Sequence, residues 1–328
     1  AMAVEAEESA DEDFDSYDGG DAEGFDSYDG GDRLRIATDP PTDWAVLHAG
    51  LRPHLGTFGG IATFALAHER TERFYGVFSL SAIRNDAGTH VGALQLAVGR
   101  NLADELIGLA QVAVADNRAR NFYGLAQLSL AYNRTIDMVG ALQLGAYNRS
   151  RNDIGLLQLG GYNRTDESFS GFAQIGGFNH SRRDFSGFAQ IGALNGQGEL
   201  FDDHSNDDER FAGFAQIGAV NSAGSFRGVV QLAGLASFSD DFTGGVQIGG
   251  LAAGAEQFRG VAQIGVAALS DESYGAQIGG AAIAFEEHNG LQLGAVGNYA
   301  ERVNGAQIGV VNVAEEAKGV HIGLVNHA

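Results

Sequence analysis

The sequence predicts an all-β fold, specifically a parallel β-solenoid of about 17 coils with 15 or 16 residues in each coil. Three observations predict this fold. Seventeen glycines recur at steps of 14 to 16 residues from Gly60 to Gly319, with one longer step of 26 between Gly187 and Gly213. The units are rich in β-branched and aromatic residues and show no helical period. A glutamine also returns at nearly the same place in each unit, as stacked equivalent positions require.

The glutamine follows the repeated glycine by three residues in most units and by two residues in the last units. In a solenoid, equivalent residues of neighbouring coils lie about 4.8 Å apart, so their side-chain amides can hydrogen-bond along the axis. We therefore predict a structural ladder that comprises Gln143, Gln158, Gln174, Gln190, Gln216, Gln231, Gln247 and Gln263.

The same units also fit an antiparallel arrangement, an outer-membrane β-barrel in which each unit is one strand. Barrels of that class alternate short turns with long loops. The spacing of the units here shows no alternation between odd and even connectors. The connector lengths therefore favour the solenoid and leave the barrel as the alternative.

Side chains alternate between the two sides of a strand, which predicts an inward and an outward set in each unit. We expect the small apolar residues to point inward and the aromatic and amide residues to point outward. An outward Phe/Gln face would be an apolar patch that needs a partner, so we expect it to form a homo-oligomer or to dock a ligand surface. In one unit the inward set is Gly171, Ala173, Ile175 and Gly177, and the outward set is Phe172, Gln174, Gly176 and Phe178.

Charge and composition divide the chain into three segments. Residues 1–32 contain 13 acidic and no basic side chains, so we predict a disordered acidic arm. Residues 33–59 hold all three prolines and the only tryptophan, and we predict that they form an N-terminal cap. Residues 60–328 are the solenoid repeats, with an insert at 196–209. The net charge of −22 argues against nucleic acid as a partner, and no apolar run is long enough for a spanning helix.

The acidic arm contains a duplicated motif that places carboxylates beside glycine turns. Carboxylate oxygens are the ligands that Ca²⁺ prefers, but the spacing lacks the closing glutamate of an EF-hand loop. A solvated acidic tether is the simpler interpretation of the same residues. The chain has no cysteine, which excludes disulfides and thiolate metal sites, and we predict no cofactor other than Ca²⁺. The candidate calcium ligands are Asp13, Asp15, Asp18, Asp26 and Asp29.

Four consecutive units repeat an aromatic residue, an asparagine and a basic residue at the same place. Aromatic rings beside amide and guanidinium donors, repeated in a row, suit an extended saccharide or a polyanion. The plainer interpretation is a ladder of turns, with asparagine in the turn and arginine in solvent. The candidate ligand-binding residues are Tyr132, Arg134, Tyr147, Asn148, Arg149, Tyr162, Asn163, Arg164, Phe178 and Asn179.

The end of the chain carries two further copies of the repeat, Asn304-Gly-Ala-Gln-Ile-Gly-Val-Val-Asn312 and Lys318-Gly-Val-His-Ile-Gly-Leu-Val-Asn326. They resemble the G-x-Q-I-G-L-V-N-x-A surface-repeat family of Gram-negative bacterial envelope proteins, over roughly residues 60–328. The resemblance implies a protein of the cell envelope, on the outer surface or secreted, and brings no catalytic residues. A looser likeness to the A-I-G-x-x-A coils of trimeric adhesin heads, which are also β-rolls, supports adhesion by analogy.

The sequence thus predicts a non-enzymatic structural or adhesive surface protein that presents repetitive faces for self-association or for an extended glycan or polyanion. We predict no catalytic residues, because the nine histidines are scattered and neither a Ser/His/Asp arrangement nor a phosphate loop occurs. The outer-membrane barrel is the first alternative. A β-helix enzyme that cleaves polysaccharides is the second.

Overall fold

The computed structural model describes residues 42–197 and 209–328 and shows an all-β chain whose single parallel sheet winds into a β-solenoid of about 17 turns. This confirms the predicted fold class. The predicted acidic arm, with its candidate calcium ligands, lies outside the described residues. So do residues 33–41 of the predicted cap and residues 198–208 of the predicted insert.

Fifteen strands make up the sheet, and the longest pass through more than one coil because the backbone stays extended around the corners. The first ten strands are β1 (Thr42–Gly50), β2 (His54–Ala65), β3 (His68–Tyr75), β4 (Phe78–Ser81), β5 (Arg84–Ala97), β6 (Arg100–Ala113), β7 (Asp116–Tyr123), β8 (Ala126–Ser129), β9 (Tyr132–Val139) and β10 (Leu142–Leu144). The remaining five are β11 (Tyr147–Ser181), β12 (Asp184–Gln197), β13 (Arg210–Gly249), β14 (Ala252–Ile322) and β15 (Val325–His327).

Each coil stacks on the coil before it with equivalent residues in register. In the pair β5 and β6, for example, Gly92 lies opposite Gly108 and Gln95 lies opposite Gln111. The pairings given for these strands are all parallel, within the two described ranges, so the antiparallel arrangement of the same units is wrong. The stack begins before Gly60, because β1 already pairs in parallel with β2 over part of the predicted cap.

A column of phenylalanine rings runs through the interior, formed by the residue two places before the repeated glycine. Six successive rings from Phe169 to Phe258 are almost completely buried. Their centroids lie 4.9–5.2 Å apart with interplanar angles of 1–12°. This spacing is that of the parallel ladder itself, so each coil adds one ring to a continuous apolar core.

The repeated glycine is required beside this column. A β-carbon on Gly187 would lie 2.7 Å from the carbonyl oxygen of Gly171 and 3.0 Å from the ring of Phe185. Both distances are shorter than ordinary van der Waals contacts, and one of the two neighbours is backbone that cannot move aside. The glycine period that marks the repeat therefore follows from the close approach of each coil to the carbonyl of the preceding repeated glycine and, in these coils, from the phenylalanine column as well.

The glutamines lie inside the coil, contrary to the predicted outward Phe/Gln face. Fourteen of them, from Gln95 to Gln307, form an unbroken chain in which each amide NH₂ donates to the side-chain carbonyl of the preceding glutamine at 2.7–3.1 Å. A buried amide is costly only when it is unpaired, and this ladder pairs each one with the next.

The prediction failed because strict alternation does not hold around the coil. Ala173 and the next residue, Gln174, are both buried, so the residues that follow change sides. Ile175, predicted to point inward, is therefore exposed. The glutamine half of the predicted homo-oligomer face therefore lies inside the coil, whereas its phenylalanine half, for example Phe172, is exposed.

Candidate functional site

The candidate ligand-binding residues lie on β9 and β11, and the structure divides them between the outside and the inside of the coil. Tyr132, Tyr147 and Tyr162 lie in one outer row, and Phe178 continues it. The arginines form the neighbouring outer row, two residues further along each coil. Asn148, Asn163 and Asn179 are almost completely buried and bond to one another, so their assignment as ligand contacts is wrong.

Two of the three tyrosine rings stack face to face along the axis, and the third is tilted against them. The rings of Tyr147 and Tyr162 are 5.1 Å apart with an interplanar angle of 3°. Burial raises the pKa of the Tyr147 hydroxyl above its usual value. An aromatic platform for a sugar needs a free ring face, whereas stacked rings present their edges to solvent. This geometry does not favour the predicted binding of a saccharide on the row.

The arginines of the second row are held by carboxylates of the same chain. The Nε atom of Arg149 lies 2.8 Å from one oxygen of Asp166, and that of Arg164 lies 2.7 Å from the other. The Arg134 guanidinium lies 5.3 Å from the ring centroid of Tyr132. Guanidiniums with these intramolecular partners would have to exchange them for a polyanion, which lowers the gain from binding.

A larger outer surface faces solvent along the coils. Part of it consists of residues that the strict alternation predicted to point inward. We call it the apolar face and define it by three rows. Row 1 is the residue after each repeated glycine. Row 2 is the residue after the ladder position, which is glutamine in most units. Row 3 is the residue two places after row 2. Row 1 contains only alanine, glycine and the large apolar types, and Leu125, Phe172 and Val261 in it are 56–70% exposed.

The apolar face carries no charge. None of the seventeen segments from row 1 to row 3 contains Asp, Glu, Lys or Arg, although charged residues make up 19% of the chain. All charged side chains of the repeats therefore lie in the rest of each coil. Such a separation is unusual for a surface that meets only water, because exposed apolar patches of monomers rarely exceed a few hundred Å².

The relief of the apolar face changes along the axis. In the first coils, a groove with a volume of 1070 Å³ runs between row 2, including Phe64 and Leu96, and row 3, including Leu66 and Leu130. In the middle coils, row 1 instead forms a ridge of stacked phenylalanines. The rings of Phe172, Phe188 and Phe214 lie 5.0 Å apart at interplanar angles of 1–2°.

A signal for this face was present in the sequence. The segment Phe-Ala-Gln-Ile-Gly is apolar except for its glutamine, and its neighbours in other units are equally uncharged. The strict alternation that we assumed assigned the isoleucine to the interior and hid the face. Had the glutamine been placed inside, the residues on both sides of it would have been recognised as one outer surface.

Four of the buried titratable side chains in the described residues, Glu69, His90, Asp153 and His288, have pKa values that burial shifts. Burial raises the pKa of the Asp153 carboxyl to about 7 and lowers the pKa of His90 to about 4. Burial likewise lowers the pKa of His288 to about 4 and raises that of Glu69. All four are at most 3% exposed, so no substrate reaches them. They belong to the core and not to a catalytic site.

Comparisons with known proteins found no match to a family model, to a curated protein or to a solved structure. Across residues 42–197 and 209–328 there is no grouping of three or more His, Cys, Asp or Glu side chains suited to a metal ion. In the same ranges no helix has the length and hydropathy to cross a membrane.

Proposed function

We propose that this chain is a non-enzymatic structural protein that works by binding a partner surface through its apolar face. One observation carries the proposal: an outer surface without a single charged residue extends over all seventeen repeats. The position of this surface is fixed by the internal glutamine and phenylalanine columns, so the chain presents it as a rigid, repetitive unit.

The size of the face supports a binding role. Rows 1 to 3 span about five residues at roughly 3.3 Å each, and the coils rise about 4.8 Å each, which gives an area on the order of 1,000 Å². A stable protein–protein interface buries about 800 Å² on each partner. Burial of apolar surface contributes roughly 25 cal/mol per Å², before the entropic cost of association is subtracted. The face is therefore large enough for stable binding without any further site.

The proposal keeps the expected location in the cell envelope, which rests on the resemblance of the repeats. It does not use the tyrosine and arginine rows, because their rings and guanidiniums are occupied within the chain. It also needs no catalytic group. The alternative of a polysaccharide-cleaving enzyme makes a separate prediction, the release of new reducing ends from an acidic polysaccharide, which we do not expect.

The experiment measures retention on an octyl-coated sensor at nanomolar protein concentration. Phe188 lies in row 1 and is 47% exposed, and Phe238 lies outside the apolar face and is 44% exposed, so the two form a matched pair. We expect Phe188→Glu to lower the retained fraction at least tenfold and Phe238→Glu to leave it unchanged. Absence of retention for the unmodified chain at a concentration at which it is monomeric, or equal retention of both variants, would contradict the proposal.

A further inference from the structure

We propose that the partner of the apolar face is a second copy of this chain, bound side by side with its solenoid axis parallel to the first. This inference rests on the proposed function and names its partner. The two copies would be related by a two-fold axis that runs along row 2 of the face. That symmetry places row 1 of one copy opposite row 3 of the other copy, coil by coil.

The first argument is the reciprocal size of rows 1 and 3. In the three coils where row 1 is phenylalanine, row 3 is glycine or alanine: Gly177, Ala193 and Ala219. The relation changes in only some of the first coils: Val77 and Leu109 in row 1 are still larger than Ala82 and Val114 in row 3, whereas other coils carry a row 3 residue as large as the row 1 residue or larger. Leu66 and Val98, for example, accompany Ile61 and Ala93 in their coils. Rows of complementary size pack closely when one copy faces another in step.

The second argument is the common axial repeat. The phenylalanine ridge of row 1 has a period of 5.0 Å, which is the spacing of the coils. A second copy has the same rise per coil, so contacts made at one coil recur at the next one without drift. A partner with another period would match the ridge at only a few positions.

The third argument is charge. A second copy brings only uncharged rows to the contact, so no charge is buried by association. A lipid surface is disfavoured, because the chain has a net charge of −22 and anionic head groups repel it.

The first experiment measures the mass of the full chain in solution by light scattering at micromolar concentration. We expect twice the mass of one chain for the unmodified protein and for Phe238→Glu. We expect the mass of one chain for Phe188→Glu, with at least a hundredfold weaker self-association. Circular dichroism of each variant checks that the solenoid is intact, so that dissociation of the dimer is not mistaken for unfolding.

The second experiment tests the register with cysteines, which the natural chain lacks. Leu125 in row 1 and Leu130 in row 3 belong to the same coil and are 58% and 75% exposed. Chains with Leu125→Cys are mixed with chains that carry Leu130→Cys and are oxidised. We expect a disulfide-linked dimer in the mixture and little in either variant alone, because equal rows lie at opposite edges of the interface. A mixture of Leu125→Cys with Val310→Cys, a distant row 3 position, is the control and should stay unlinked.

The outcomes separate this inference from the proposed function. A chain that is monomeric at micromolar concentration but is retained on the octyl sensor or on phosphatidylcholine vesicles would contradict the proposed dimer. It would leave the proposed binding role of the apolar face in place. A dimer that cross-links Leu125→Cys to Val310→Cys, and not to Leu130→Cys, would overturn the parallel register. A monomer without any retention would overturn both proposals.

Discussion

Two stretches of the same internal column differ in how uniform they are. From Phe169 to Phe258 each of six coils contributes a stacked phenylalanine ring. In the coils before them, the equivalent position holds His90, Met138 and Asp153 among the apolar residues. The backbone register is the same in both stretches, so the fold tolerates the exchange.

The comparison shows that the coil geometry is set by the amide ladder and the glycines, while the column sets the stability of each region. The uniform stretch gains from ring stacking, which adds about 0.5–1.5 kcal/mol for each aromatic pair beyond the buried area. The mixed stretch instead buries ionisable groups, whose charged forms are costly there. Its stability should therefore depend on pH, whereas that of the uniform stretch should not.

The largest expected effect is the loss of a ring from the uniform stretch. Phe211 stacks on Phe185 and on Phe226, so Phe211→Ala removes two ring contacts and leaves a cavity. We expect a loss of about 4–5 kcal/mol in the free energy of unfolding, measured by denaturant titration. Met138→Ala in the mixed stretch is the control and should cost about 2–3 kcal/mol, because it breaks no ring stack. Equal losses would show that the stacking is not what distinguishes the two stretches.

The sequence predicted the coil number, the parallel stacking and the glutamine ladder because each depends on a period, which a single chain displays directly. It did not predict which side of the strand faces inward. That choice depends on the consecutive burial of Ala173 and Gln174, which breaks the alternation. The buried amide of Gln174 is tolerated because the ladder satisfies its hydrogen bonds. The same error hid the apolar face and placed Asn163 on the outside. Periodicity thus predicted the architecture, while the surface required knowledge of how buried polar groups are paired.

The second effect concerns Asp153, which occupies the column next to Met138 and accepts only a long hydrogen bond, 3.4 Å from the Ser150 hydroxyl. Its pKa is about 7 in the folded chain against an ordinary value of 3.8. Below pH 4 the carboxyl is mostly protonated in both the folded and the unfolded chain, so its ionisation does not change the free energy of unfolding. As the pH rises from 4 to 7, only the unfolded chain ionises freely, so the folded chain loses stability until about pH 7.

We therefore expect Asp153→Asn, which keeps the shape but cannot ionise, to remove that loss. Three pKa units correspond to about 4 kcal/mol, which should be the gain of the variant over the unmodified chain at pH 8 relative to pH 4. The measurement is denaturant unfolding at both pH values. The other titratable groups are present in both proteins, so they cancel in the difference. A gain that is the same at pH 4 and pH 8 would contradict the assignment to Asp153.

The smallest of the three effects concerns His90, for which stability is lost as the pH falls and not as it rises. The ring of His90 stacks on Phe74 at 4.5 Å, and neither of its nitrogens has a hydrogen-bond partner. Its pKa is lowered to about 4 from 6.5 by burial, so the folded chain loses stability as the pH falls from 6.5 towards 4. We expect His90→Phe to be more stable than the unmodified chain at both ends of this range, and by about 3 kcal/mol more at pH 4 than at pH 8. Gly92 leaves room for the new ring, as Gly76 does for Phe74. A variant that is destabilised, or whose gain is independent of pH, would show that the mixed stretch is not limited by its buried charge.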